Sequence, residues 1–379
     1  SAGGSFLVTK VNCAEEASGS TVYQSPTTGD AHYYLKDSST YRNVGNLNIN
    51  PGLAAELKKK TTYRPANTYQ SITLSSALTL SPAVQRDVDL PDLGYHYDPI
   101  DYGFGNVVAD NDIVKILPGT VIALFGTQYG LDFEPGSQLI CAGEAGNRVR
   151  FIEAATVQEQ STKIWKAPGS MLIESFLAPS AVGADIFDFN FTDWSILALD
   201  ANAFESLGIQ LRNSQIHGGA IVTDSWNLTM TNCLMNRVYS YLRAQSDITS
   251  KLVLRNCLFY GGSVVILPPY NLPNHLNNTI IKSCFFDRAS IPNTFDSFSD
   301  FDGGNNASVL GFDKIRSTAT TFPSDVELSV PLIYQKGPLG NFYQPNTGNS
   351  LLDAGGITAN LVRLYHFTVS TNRVGGLEV

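Results

Sequence analysis

The chain has 379 residues and a formal net charge of −9 at pH 7, and only 16% of its residues are charged. So little charge argues against a coiled coil, and 43% hydrophobic residues argue against intrinsic disorder. The acidic balance argues against nucleic acid as a partner, because phosphate binding needs a basic surface. No apolar run reaches about 18 residues, so the sequence predicts no membrane insertion.

The first segment, residues 1–105, is rich in Ser, Thr, Asn and Tyr and is predicted to be an irregular N-terminal cap. It contains one candidate helix, over residues 50–60. Asn50 is a favourable N-cap residue, and Pro51 is favoured at the first helical position. Three lysines at 58–60 fall in the last turn, where the helix dipole favours positive charge. We interpret them as a solvated helix end.

The second segment, residues 106–300, contains internal repeats. The sequence LPGTVIALFG at 117–126 returns 17 residues later as EPGSQLICAG at 134–143. Downstream, LRNSQI at 211–216 is followed by MTNCLM at 230–235, LRNCLF at 254–259 and IKSCFF at 281–286. A Pro-Gly turn followed by alternating apolar residues indicates a turn–strand unit. Self-similarity at this period indicates a stacked-repeat architecture.

The length of the repeats separates the possible solenoid classes. Propeller blades need about 40 residues each, and leucine-rich repeats need a fixed Leu/Asn lattice that is absent from this sequence. A parallel β-helix tolerates coils of unequal length, because insertions leave through turns while the strands stay in register. We therefore predict an all-β fold, with parallel β-helix coils over 106–300 and irregular flanking caps that contain short helices.

One polar position recurs in four successive repeats, at Asn213, Asn232, Asn256 and Ser283. These residues are separated by 19, 24 and 27 residues. Asn adopts the left-handed backbone of a tight bend at lower cost than most residues. Stacked Asn side chains can also hydrogen-bond from coil to coil. We predict that these four residues form an internal ladder at one corner of the coil.

The cysteines are interpreted as buried, structural residues. Their odd number and wide spacing do not form a disulfide framework, and no C-x-x-C pair indicates zinc. Cys233, Cys257 and Cys284 each follow a ladder residue, so they are predicted to stack on one another inside the coil. Parallel Cβ directions in such a stack disfavour a disulfide.

The third segment, residues 301–379, is predicted to be related to the first. Residues 342–355 parallel residues 33–45, and short helical stretches follow at 358–365 and at 53–60. Related pieces at both ends are typical of a protomer with matched ends or of a segment from a tandem array. The chain begins at Ser1 without a signal peptide, so we expect a mature form or a fragment.

The coil region, with ILPGTVIA at 116–123 and PGSQLICAGEA at 135–145, resembles right-handed parallel β-helix proteins. Its flanks carry PDLGYHYDP at 91–99, LLDAGG at 351–356 and LYHFT at 364–368. They resemble signatures that flank β-helix segments in large exported proteins of verrucomicrobial and planctomycete bacteria. The resemblance implies a right-handed solenoid and an extracellular or cell-surface location. In that family the last element usually continues into another Gly-Tyr-His-Tyr, whereas this sequence ends at residues 374–379.

Candidate chemistry is sparse. A glycosidase needs two carboxylates, and the richest cluster, Asp185, Asp188, Asp193 and Asp200, is interpreted as turn and surface carboxylates. Arg212, Arg255 and Lys282 precede ladder positions and are candidates for a stripe that binds an acidic glycan. The alternative is an exposed cationic edge that prevents strand aggregation.

Calcium is the single cofactor for which the sequence offers candidate ligands. Asp300, Asp302 and Asn305 offer oxygen ligands in a Gly-containing loop, although a simple turn is the competing interpretation. His96 and His366, each between aromatic residues, are interpreted as packed and hydrogen-bonded rather than catalytic.

These observations favour a non-enzymatic extracellular structural protein. We expect a β-helix building unit of a surface layer, fibre or adhesin that associates with itself end to end, because head-to-tail contacts that do not close give filaments. The alternative is a carbohydrate-active enzyme or a glycan-binding module on the same scaffold. Aligned carboxylates or cations in a cleft would favour that alternative.

Overall fold

The computed structural model describes residues 16–24, 32–157, 171–175, 186–196, 201–244, 250–267, 278–292, 302–315, 324–337, 340–345, 347–352, 354–356, 373–374 and 377–378. The chain divides into two compact units. One comprises Ser1–Arg64, Val84–Pro99 and Gln158–Gln160, and the other comprises Pro65–Ala83, Ile100–Val157 and Ser161–Val379. Among the described residues, no helix has the length and hydropathy needed to cross a membrane.

Strands dominate the described residues. The helices are α1 (Pro51–Leu57) and α2 (Ala154–Val157), with a 3-10 turn at Gly19–Thr21. The first fifteen strands are β1 (Asn67–Gln70), β2 (Thr73–Leu74), β3 (Leu78–Leu80), β4 (Tyr102–Gly105), β5 (Val107–Ala109), β6 (Ile113–Ile116), β7 (Val121–Phe125), β8 (Tyr129–Phe133), β9 (Gln138–Ala142), β10 (Val149–Glu153), β11 (Met171–Ser175), β12 (Ile186–Asn190), β13 (Thr192–Ser195), β14 (Ala201–Arg212) and β15 (Gln215–His217). The others are β16 (Ala220–Thr231), β17 (Leu234–Asn236), β18 (Tyr239–Ala244), β19 (Lys251–Arg255), β20 (Leu258–Tyr260), β21 (Ser263–Leu267), β22 (Thr279–Lys282), β23 (Phe285–Asp287), β24 (Asp302–Gly304), β25 (Ala307–Val309), β26 (Val326–Leu328), β27 (Gln335–Gly337), β28 (Gly340–Tyr343), β29 (Arg373–Val374) and β30 (Leu377–Glu378).

Two long parallel sheets build the second unit. Sheet A has 11 strands in the order β1-β4-β7-β10-β13-β15-β17-β20-β23-β25-β26, and sheet B has 15 strands. Antiparallel pairing is confined, among the described strands, to the hairpins β27–β28 and β29–β30. The chain visits sheet A once per turn and pairs each time with the strand one coil away. The predicted all-β parallel β-helix is therefore confirmed.

Each coil has three walls, because its part of sheet B is bent into two walls. The first half of β16 pairs with β18, and its second half pairs with β19. Sheet A is the third wall, and the corner between the second half of sheet B and sheet A contains the predicted polar residues. Asn213, Asn232, Asn256 and Ser283 all have positive φ there, between 52° and 55°.

In-register stacking fills the interior with columns of apolar side chains. The middle residues of the short strands of sheet A point inward, and two of them, Phe259 and Phe286, stack with ring centroids 5.0 Å apart. The facing wall contributes a second column, in which Leu211, Met230 and Leu254 are fully buried neighbours. Burial of these columns is the main favourable term for the coil.

The coils extend beyond the predicted limits of 106–300. Parallel pairing begins at β1 and continues to β26, so parts of the predicted caps 1–105 and 301–379 belong to the solenoid. The outer coils lack the Asn-Ser or Asn-Cys repeat signature, which explains the difference. The described parts of 33–45 and 342–355 also differ, because the former has an isolated bridge at Leu35 and the latter includes the end of β28.

The first unit has little regular structure and is held by buried polar contacts. Helix α1 confirms the predicted helix start, and the Asn50 side chain accepts hydrogen bonds from the backbone of Gly52 and Leu53. The helix ends at Leu57, so Lys58 is its C-cap and the three lysines follow the helix instead of forming its last turn. Asp92 of the DLGYHY motif accepts hydrogen bonds from Arg42 and from the Thr62 hydroxyl. His96 Nε2 lies 2.6 Å from Asp87 Oδ2. His96 is buried and hydrogen-bonded, as predicted.

Replacing Asn213 separates its backbone role from its side-chain role. Asn213→Ala and Asn213→Gly both remove the amide, but only alanine carries a Cβ into the left-handed region. We expect the alanine variant to be less stable than the glycine variant by about 1 kcal/mol. Urea unfolding of both variants measures the difference. Equal stability would show that the corner does not require a left-handed residue.

Candidate functional site

A half-open cleft of about 530 Å³ lies on the outside of sheet A, next to the polar corner column. Its size is typical of ligand sites, which span about 300–1,000 Å³. The cleft has a polar side formed by the corner residues, an apolar floor formed by sheet A, and an aromatic wall formed by the segment around β27 and β28.

The polar side is the amide column. Asn213 Nδ2 donates to Asn190 Oδ1 at 3.3 Å, and Asn232 Nδ2 donates to Asn213 Oδ1 at 2.8 Å. The column lies on the outside of the coil, which corrects the prediction of an internal ladder. The corner breaks the in–out alternation of the strand, so that Arg212 and Asn213 both face outward.

The next position in each repeat faces the interior. Ser214, Cys233, Cys257 and Cys284 are buried there, and the three cysteines are free thiols. Burial raises the pKa of the Cys233 and Cys257 thiols well above the usual value. Because the thiolate is the reactive form, these cysteines are packing residues. Buried Cys141 has the same character, and Cys13 lies outside the described residues.

The floor consists of outward-facing side chains at one position of three successive sheet A strands, namely Leu234, Leu258 and Phe285. Further along the sheet this apolar surface continues as a cluster with Ala307, Val309 and Leu328. Leu332, Tyr334 and Leu351 pack against that cluster from outside the coil. The segment after the last coil therefore folds back over sheet A.

The aromatic wall is fixed by a buried acidic residue. Tyr334 donates its hydroxyl to Asp287 Oδ2 at 2.7 Å, and Asp287 is fully buried beside Arg288. Burial and this hydrogen bond raise the pKa of Tyr334, so the phenol remains protonated. Tyr334, Tyr260 and Phe342 contact one another, with ring centroids 4.9 to 5.7 Å apart.

An ion pair closes the other end of the cleft. Arg148 Nε lies 2.7 Å from Asp193 Oδ1, and Arg148 Nη2 donates to the Asn213 carbonyl at 2.7 Å. Burial raises the pKa of Asp193, and the Arg148 guanidinium opposes that shift. We regard the pair as ionised, because a charge-assisted hydrogen bond of this length favours the charged form.

Next to the Arg148–Asp193 ion pair, His217 and its neighbours form further polar contacts along sheet A. Asn236 Nδ2 lies 3.1 Å from His217 Nδ1, and His217 Nε2 lies 3.3 Å from Gln215 Oε1. An amide nitrogen can only donate, so Nδ1 accepts and Nε2 carries the proton. Burial lowers the pKa of His217, which agrees with a neutral ring.

The predicted cationic stripe lies on sheet B, away from the cleft lining. Arg212 pairs with Asp188, at 2.6 Å, and Lys282 pairs with Asp302, at 2.7 Å. Arg255 and Lys282 are cross-strand neighbours, whereas Thr231 separates Arg255 from Arg212. Two of the three charges are therefore neutralised locally. Of the predicted acidic cluster, Asp188 and Asp193 each pair with an arginine, and Asp185 and Asp200 lie outside the described residues.

The predicted calcium ligands have other partners. The carboxylate of Asp302 pairs with Lys282, and the Asn305 amide donates to the Ala354 carbonyl at 2.8 Å. Asp300 and His366 lie outside the described residues. In the described ranges, no group of three or more His, Cys, Asp or Glu residues is arranged to hold a metal ion.

Several cleft residues carry no sequence signal. Arg148, Tyr334 and Phe342 lie outside the repeat motifs, and the coil residues Asp193, Asp287 and Tyr260 that they contact are 45, 47 and 82 residues away in the chain. His217 lies one residue beyond the LRNSQI repeat. The repeat register could have identified Gln215 and His217 as outward-facing. The position of the segment around β27 and β28 could not be inferred from the repeats.

No protein family model matches the chain, and no curated protein matches it. Among solved structures, the chain is similar to full-length QnrB1, described as a plasmid-mediated fluoroquinolone resistance protein. The match has 10% sequence identity, covers 63% of this chain and 94% of that one, and has a TM-score of 0.16. So low a score supports no inference about this chain, and the β-helix assignment depends on the sheet topology described above.

Removing the Tyr334 hydroxyl should loosen the aromatic wall. Tyr334→Phe deletes a hydrogen bond to a buried carboxylate, so we expect a loss of about 2 kcal/mol in local stability. Hydrogen exchange of the β27 and β28 amides should then accelerate. Tyr239→Phe is the matched control, because the exposed Tyr239 makes no side-chain hydrogen bond within the described residues. Unchanged exchange in Tyr334→Phe would contradict this role for Asp287.

Proposed function

We propose that this protein is a non-enzymatic extracellular β-helix that binds an extended glycan in the cleft on sheet A, as an adhesin does. The proposal is based on the cleft, which combines amide side chains, an aliphatic floor and an aromatic wall along the coil axis. Such a mixture of apolar surface and a few placed polar groups is typical of ligand sites. The extracellular location is proposed from the flanking motifs.

The composition of the cleft favours binding over catalysis. Glycoside hydrolysis uses two carboxyl groups that flank the scissile bond. No Asp or Glu is among the described residues that line the cleft. Asp193 lies next to the lining, but its carboxylate is held by Arg148.

Affinity electrophoresis of the full chain through gels that contain soluble polysaccharides tests this function. We expect at least one polysaccharide to retard the protein without release of shorter saccharides. Leu258→Arg, which places a long side chain on the cleft floor, should abolish the retardation.

Ile113→Arg is the control, because Ile113 is an exposed residue of sheet B. Thermal unfolding checks that both variants are folded. An unretarded wild-type protein would contradict glycan binding, and the appearance of shorter saccharides would contradict the non-enzymatic role.

End-to-end self-association is a second candidate function. Strands β1 and β26 end sheet A, and each pairs on one side only within the described residues. Unpaired strand edges are templates for association. Beside β26, large apolar side chains are exposed, with Leu310 at 59%, Val330 at 69% and Ile333 at 84% of their full exposure. These features support a role as a building unit of a fibre or surface layer.

A charge at the exposed Ile333 should block this association. We expect sedimentation velocity to show concentration-dependent assembly of the full chain, and Ile333→Glu to shift it toward the monomer. Ile113→Glu places the same charge on sheet B and should leave assembly unchanged. A wild-type chain that stays monomeric at all concentrations, with no filaments in electron micrographs, would overturn this candidate.

A further inference from the structure

The amide column is interrupted inside the cleft. Asn213 and Asn232 are joined by a hydrogen bond, but the side chain of Asn256 makes none within the described part of the chain. Both Asn232 and Asn256 line the cleft. Asn232 uses its amide nitrogen in the column, which leaves its carbonyl oxygen available as an acceptor. A donor–acceptor group half-buried without a partner is costly unless a ligand or water satisfies it.

The cleft is electrically neutral. Arg148 is the single charged residue among the described residues that line it, and Asp193 neutralises that charge at 2.7 Å. Arg288, near the aromatic wall, is likewise paired with Asp287. An acidic polymer would have to give up hydration without gaining a free cation, so the cleft disfavours uronates and sulfated sugars.

The spacing of the column distinguishes a glycan from a peptide. Successive coils place amide groups about 4.8 Å apart, whereas an extended peptide advances only about 3.3 Å per residue. A peptide that followed the axis would therefore fall out of step with the column. A pyranose unit is longer than an amino-acid residue, and it carries hydroxyl groups on its edges and C–H groups on its faces. The hydroxyl groups match the amides, and the faces match Leu258 and Phe342.

We propose that the interrupted column is the recognition site for a neutral glycan. In this assignment, which rests on the proposed glycan-binding function, Asn232 Oδ1 accepts a hydrogen bond from one sugar hydroxyl and the Asn256 amide donates to another. Phe342 and the aliphatic floor pack against the ring faces. The site discriminates against acidic glycans because it has no uncompensated positive charge.

Affinity electrophoresis with two sets of polysaccharides tests the proposal. The neutral set is β-glucan, galactomannan and arabinoxylan, and the acidic set is polygalacturonate and alginate. We expect the full chain to bind a neutral polysaccharide, with an affinity that does not change when the NaCl concentration is raised, since no charges pair in the complex.

The key variant is Asn256→Asp, which keeps the size of the side chain and its tolerance of positive φ but removes the amide donor. We expect it to weaken binding about tenfold, the effect of one lost hydrogen bond. Asn106→Asp is the matched control. Asn106 also has positive φ, but its side chain accepts hydrogen bonds from Thr127 and Gln128 at a different corner, and aspartate preserves that role.

The possible outcomes separate the recognition site from the function. Neutral binding with an unaffected Asn256→Asp variant would overturn the site and leave the glycan-binding function standing. Salt-sensitive binding of the acidic set would overturn neutral selectivity alone. Absence of binding to both sets would overturn the function and the site together.

Discussion

The structure depends on one backbone constraint: each coil must turn at the same place without losing register with its neighbours. At the corner before sheet A, Asn213, Asn232, Asn256 and Ser283 satisfy this constraint with a left-handed conformation, and the strands on both sides pair residue by residue with the adjacent coil. Because the turn recurs at one position, every following residue recurs on one line parallel to the axis. The apolar core columns, the aliphatic floor and the amide column are therefore consequences of one repeated bend, and a change in that bend would displace all of them together.

The apolar character of the outer face of sheet A accounts for the cleft. The outward-facing residues of sheet A are largely apolar in two places, and there other parts of the chain cover them. At the N-terminal coils, helix α2 and Ile100 lie over Val121, Phe125 and Ile152. At the C-terminal coils, Leu332, Tyr334 and Leu351 cover the second cluster, and Tyr334 is held there by its hydrogen bond to Asp287. Between these two covered regions, the outward-facing residues of sheet A are polar and include Gln215 and His217. The cleft lies at this boundary, with one side apolar and the other polar.

The fold was more predictable than the site, for a physical reason. A left-handed corner restricts its residue to a few types, so the recurrence of Asn before Ser or Cys marks the corner in the sequence, and the alternation of apolar residues marks the core. At the opposite corner the same conformation is adopted by Arg237 and Arg288, beside Gly218 and Gly261, and no residue type marks that column. The cleft could not be predicted, because its wall comes from a segment whose contacts with the coil are long-range and unrepeated. The coil formed by β1 to β3 could not be predicted because it lacks the repeat signature, although β1 pairs with β4 and Tyr69 stacks on Phe104.

In-register stacking also accounts for the low charge of the chain and for the neutrality of the cleft. Neighbouring coils place equivalent side chains about 4.8 Å apart, so a column of like charges would repel itself along its whole length. Several charges on the walls face an opposite charge on the next coil, as Asp224 faces Arg243 and Arg150 faces Asp193. Where like charges are neighbours, as at Arg255 and Lys282, Lys282 pairs with Asp302 of the following coil. A long binding surface on such a scaffold is most readily built from uncharged donors and acceptors, because amides can stack where ions cannot. A β-helix that binds an acidic polymer must arrange its cations against this repulsion, whereas a neutral glycan requires only the amide and aromatic columns that stacking already provides.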